Sequence, residues 1–167
     1  NKSRRNHALT PMVETVTRTK LAQFATSTMR DHKGNVTKLR VSDQTMELPT
    51  GTLFRQIIDD IKPEMPKKAE YSGLNLFDCD DYSFIFKGLI SQWYRHNRRT
   101  ELPFAIGIAW GFFSSFSPQE FHSLNFVFLG DDRILRWIEP QMIREETIEK
   151  ATAKYKPAHD KVSLLIL

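Results

Sequence analysis

Residues 78–95 carry the pattern that most restricts the fold of this chain. Apolar side chains stand at Tyr82, Ile85, Phe86, Leu89, Ile90 and Trp93, which line one face of an α-helix at its 3.6-residue period. Asp78 occupies the N-cap position and Asp81 follows three residues later. That is the arrangement of a capping box, in which each carboxylate accepts a backbone N–H that the first turn leaves over. The spacing predicts a helix over 79–95, closed by the polar run Arg95-His96-Asn97-Arg98-Arg99. A helix with one apolar face needs a second layer to bury it against.

The strands that supply this layer follow. Residues 104–113, FAIGIAWGFF, are a nearly continuous apolar run with two glycines. Residues 122–130, HSLNFVFLG, alternate in part, and 133–140, RILRWIEP, come after the turn residues Gly130-Asp131-Asp132. The last two read as an antiparallel hairpin. Residues 144–155 have helical composition, and 161–167 read as a final strand. Upstream, Thr10 and Pro11 open a helix over 10–29, and DHKGN breaks it. Residues 36–41 and 44–48 read as a short β-pair, and Thr52 caps a helix over 52–61. KPEMPKK is a two-proline linker. Residues 1–62 are therefore expected as an N-terminal helical and β extension packed on a core of residues 63–167. The class expected is α+β, a helix packed on a twisted antiparallel sheet.

Composition narrows the function classes. The chain has 167 residues, 40% of them apolar, which suits one ordinary domain with a core. Twelve phenylalanines and a formal charge of +4 argue against disorder. No apolar run approaches the ~20 residues of a membrane-spanning helix. The basic start, Asn1 to His7, is not followed by the apolar stretch of a secretory signal, and the residues leave the compartment open. The basic clusters Lys2/Arg4/Arg5, Lys67-Lys68 and Arg95 to Arg99 are short and read as solvated surface, so nucleic acid is not an expected partner. A single cysteine excludes an internal disulfide and a multi-cysteine zinc site.

That cysteine, Cys79, falls in the first turn of the 79–95 helix. His122 opens a strand 43 residues later, and Glu139 closes the next strand 17 residues after His122. A helix N-terminus offers free N–H groups and partial positive charge to a thiol. An imidazole can take the thiol proton, and a carboxylate can hold the imidazole tautomer. In a hairpin that turns at 130–132, His122 and Glu139 lie in near register and become neighbours when they share a face. Each residue also has a plainer role: a small apolar filler, a polar strand start, an exposed strand end. Trp110 and Trp137 read as core. The difficulty is the company of Cys79, because Asp78, Asp80 and Asp81 all oppose a thiolate.

The segments DCDDYSFIFKGL, FHSLNFVFL and WIEPQ together resemble the papain-like and transglutaminase-like cysteine peptidase superfamily, over roughly residues 71–141. Two branches lie nearest: the calcium-dependent bacterial transglutaminase-like cysteine peptidases, and the protease domain of the Marasmius oreades agglutinin type. The resemblance implies a papain-like/transglutaminase-like α+β fold whose nucleophile helix packs on a twisted antiparallel sheet. It implies a thiol hydrolase, foremost a cysteine protease, acting on a peptide or protein. Cys79 would be the nucleophile, His122 the general base and acid, and Glu139 the orienting carboxylate. It further implies calcium held by Asp78 and Asp80 with Asp81 as a third acid, and no organic cofactor. Asn75 and Gln141 are side-chain candidates for the oxyanion site, beside the backbone N–H of Cys79. An acyltransferase or a peptidoglycan amidase would use the same three residues. A non-catalytic calcium-binding or interaction module would keep the fold without the chemistry. Residues 1–62 carry no resemblance, and no β-trefoil repeat is visible, so a sugar-binding half is not expected within this chain.

Overall fold

The computed structural model describes residues 14–67, 78–98 and 100–167. The elements run β1 (Glu14–Thr17), α1 (Arg18–Thr28), β2 (Lys38–Arg40), β3 (Thr45–Leu48), α2 (Gly51–Ile61), α3 (Cys79–Asn97), β4 (Ile106–Phe113), β5 (Ser117–Phe128), β6 (Leu135–Ile138), α4 (Ile148–Ala151), β7 (Thr152–Lys154) and β8 (Lys161–Ile166). Six strands form one sheet in the order β2-β8-β4-β5-β6-β7, and β1 pairs with β3 in a separate ribbon. β2 runs parallel to β8, and the other neighbours in the sheet are antiparallel.

Strand β5 shows why the sheet is covered on both sides. Its side chains alternate between two faces. Leu124, Phe126 and Phe128 join Leu21 and Ala25 of α1 in one apolar cluster, with Trp137 of β6. Val127 joins Ile57, Ile58 and Ile61 of α2 and Tyr82, Phe86 and Ile90 of α3 in a second cluster. The layers are thus α1, sheet, then α2 with α3. The glycines of the apolar run 104–113 follow from close packing. A Cβ at Gly107 would sit 2.4 Å from the Ile166 carbonyl oxygen and from the Phe126 ring.

Asp160 ties the far end of the sheet together. It is buried, and one carboxylate oxygen accepts from the backbone N–H and hydroxyl of Ser114 while the other accepts from Trp137 Nε1 and the Lys156 N–H. A buried carboxylate is tolerated when its lone pairs are met in this way.

Several expectations are corrected. The sheet is mixed, because of the parallel β2–β8 pair. The segments 36–41 and 44–48 do not pair with each other: β2 goes to β8 and β3 to β1. Residues 14–17 are strand, so α1 starts at Arg18 under a Thr17 cap, and α2 is capped by Thr50; Thr10 lies outside the described residues. Residues 144–155 hold only the single turn of α4, after which β7 joins the sheet edge against β6. Among the described residues no helix is long and apolar enough to cross a membrane.

Candidate functional site

The first turn of α3 carries Cys79, and the capping box forms. The Asp78 side chain accepts from the Asp80 N–H at 3.2 Å, and Asp81 accepts from the Asp78 N–H at 3.0 Å. Both acids are therefore occupied in starting the helix. A hydrogen bond between the Asp78 and Asp80 carboxyls splits their behaviour. It holds Asp78 below the usual carboxylate range and pushes Asp80 above it, with burial and the Asp78 charge adding to the rise.

The hairpin of β5 and β6 brings the other two residues. Its ladder ends at Asn125↔Ile138. Pro140 lacks the N–H to continue it, and the chain turns into a 3-10 turn over Pro140–Met142 with Glu139 as its cap. Glu139 is buried, and its two oxygens are divided: Oε1 accepts the Gln141 N–H at 3.2 Å, and Oε2 lies 2.7 Å from His122 Nε2. The turn thus fixes the carboxylate that fixes the imidazole. Burial by itself would lower the His122 pKa. Hydrogen bonding to Cys79 and Glu139, with their charges, outweighs it and raises the pKa from 6.5 to about 9. With Nε2 on Glu139, Nδ1 is the nitrogen left for Cys79.

Cys79, His122 and Glu139 therefore meet at one place, from a helix start, a strand and a turn. Gln141 contributes its backbone N–H to Glu139, and Asn75 lies outside the described residues. Asp78, Cys79 and Asp80 each offer a ligand atom within 4.8 Å of one another. Asp81 is turned to the Asp78 N–H. Sequence reasoning missed the polar residues that join α3 to β5: Ser83, Ser123 and Asn125, each fully buried. Ser123 and Asn125 were findable as two polar positions, two residues apart, inside an apolar strand.

Residues 55–145 match the Agglutinin C-terminal family. The chain belongs to that family. No curated protein matches it. Among the solved structures that share its fold are the following two. One, titled PSL1a-E64 complex, has a TM-score of 0.64 at 20% identity over 92% of this chain and 51% of that one. The other is Polyporus squamosus lectin bound to the human-type influenza-binding epitope Neu5Aca2-6Galb1-4GlcNAc, with a TM-score of 0.60 at 20% identity, covering 92% and 49%. This agglutinin-family chain spans about half the length of the structures it matches.

These findings correct the superfamily resemblance. The matching family is an agglutinin family and the structural likeness leads to a lectin, where a papain-like or transglutaminase-like peptidase was expected. The descriptions as papain-like fold, hydrolase, cysteine protease and catalytic triad are withdrawn, and a peptide substrate finds no support. The physical source of the error is the DCDDY segment. Asp78 and Asp81 are occupied in a capping box, a local device of a helix start.

The raised His122 pKa has a consequence for stability. A group that binds its proton more tightly when folded contributes fully below its unfolded pKa of 6.5, and the contribution is lost as pH rises through about 9. The thermal unfolding midpoint is expected to fall between about pH 7 and pH 10, and to fall less over that range in His122→Gln. Equal slopes in the two proteins would contradict the coupling.

Proposed function

We propose that the chain works as an interaction module of a glycan-binding agglutinin. The observation that carries this reading is the family match over residues 55–145, which takes in α3, β4, β5 and β6. The likeness to a lectin solved with a sialylated epitope supports it. The surface offers a suitable chemistry. Phe84 and Phe121 are 53% and 55% exposed. The Phe84 ring lies 6.2 Å from Trp110, and the Phe121 ring 5.7 Å from Phe112. Exposed aromatic faces mark interaction sites, and they give the C–H face of a sugar ring an apolar platform whose polar surroundings fix its orientation. On a glycan array the chain is expected to retain a defined subset of glycans. Phe84→Ala or Phe121→Ala should weaken that retention about tenfold, the scale of an aromatic anchor. A chain that retains no glycan contradicts the reading.

A second reading is favoured by the one arrangement that surface binding does not need. Glu139 holds His122, and His122 reaches Cys79. We infer that Cys79 is a nucleophilic thiol whose proton the imidazole accepts. Alkylation of Cys79 by iodoacetamide near neutral pH is expected to run at least about tenfold faster than that of a free thiol. It should drop to the free-thiol rate in His122→Ala. A rate equal to that of a free thiol in the unaltered chain would sink this reading while leaving the glycan reading untouched.

A further inference from the structure

Ser83, Ser123 and Asn125 lie fully buried between α3 and β5, a place where apolar side chains would cost less. Ser83 Oγ donates to the Cys79 carbonyl at 3.0 Å and lies 2.7 Å from Ser123 Oγ. Ser123 Oγ is itself 3.3 Å from the same carbonyl. Two hydroxyl protons thus serve three oxygens: one goes to the Cys79 carbonyl, and the other bridges the hydroxyls. Asn125 Nδ2 donates to the carbonyls of Ser83 at 3.1 Å and Gly107 at 3.2 Å, joining α3 to β4 across β5. Its Oδ1 is buried without a hydrogen-bond partner among the described residues, which is a net cost to the fold.

We propose that this seam is a positioning device that sets the separation of the Cys79 thiol from the His122 imidazole. Ser83 is one helical turn beyond Cys79, and Ser123 is the chain neighbour of His122. The hydroxyl pair therefore ties the backbone of the thiol's residue to the strand beside the imidazole. Apolar contact is non-directional and lets a helix slide or rotate on a sheet; hydrogen bonds fix distance and angle. Geometry matters here because a misplacement of about 1 Å can cost a positioned reaction roughly a hundredfold. Ser83, Ser123 and Asn125 touch none of the reacting atoms and act through Cys79 and His122. The inference rests on the reading of Cys79 as a nucleophilic thiol.

The test is iodoacetamide alkylation of Cys79 as a function of pH in the unaltered chain, Ser83→Ala, Ser123→Ala, the double variant and His122→Ala, with folding checked by circular dichroism. Each single variant leaves one hydroxyl on the Cys79 carbonyl and should slow alkylation near neutral pH about threefold. The double variant removes both and should slow it about thirtyfold, more than the singles multiplied, as expected of residues in one network. Its rate–pH curve should also move toward that of a free thiol, a change that simple loss of stability does not produce. A folded double variant with unaltered rate and pH curve overturns the inference. If the unaltered chain is fast, His122→Ala is slow and the serine variants match the unaltered chain, the inference alone falls. If the unaltered chain is no faster than a free thiol, the nucleophile reading falls first and takes the inference with it. Should the double variant not fold, the imidazole resonances of His122 in the two single variants decide. A displaced titration in both supports the seam, and an unchanged one in both overturns it.

Discussion

The packing of α3 against β5 is the contact on which the other features depend. Both elements are apolar on the facing side, yet a polar strip runs through the middle of the contact. Apolar burial supplies most of the attraction, and the strip removes the freedom that apolar burial leaves. Its cost is visible at Asn125 Oδ1, buried without a hydrogen-bond partner among the described residues. Once α3 is fixed in this way, its first turn has one position relative to the middle of β5, and Cys79 and His122 have one relation to each other.

The carboxylates around Cys79 are engaged in local hydrogen bonds. Three acids in the first turn suit the exposed N–H groups and partial positive charge of a helix start. Two of them close the capping box, and a hydrogen bond between Asp78 and Asp80 lowers the pKa of the first and raises that of the second. On the hairpin side, Glu139 serves two purposes at once. It caps the turn that Pro140 begins, and its other oxygen holds His122. Each carboxylate near the thiol therefore has a structural partner of its own. On the hairpin side the group that faces Cys79 is an imidazole whose pKa is raised to about 9.

Helix α3 was legible because its period and its capping box agree, and local signals that agree rarely mislead. The β5–β6 hairpin was legible from its turn residues and the apolar runs on either side. Legibility failed where partners are distant or elements short. β2 has three residues, and its partner β8 lies more than a hundred residues further along; nothing within the strand names that partner. Residues 144–155 favour a helix by composition, but the open edge of β6 claims Thr152–Lys154, and pairing overrides propensity. The spacing of His122 and Glu139 could be read from the hairpin. The role of Ser83 could not, because a buried serine on a helix has no signature until its neighbours are placed. The peptidase resemblance rested on three short segments within residues 71–141, whereas the family match spans residues 55–145.

As a member of the Agglutinin C-terminal family, the chain combines an aromatic surface with a thiol, an imidazole and a carboxylate brought together from three elements. The central claim is that these three groups form one electrostatic unit. The most direct measurement is the NMR titration of the His122 imidazole in the unaltered chain and in Cys79→Ala. The account predicts a midpoint of about 9 in the first and a clearly lower one in the second, because Cys79 contributes to the rise. Identical midpoints in the two proteins, or a midpoint near 6.5 in the unaltered chain, would contradict it.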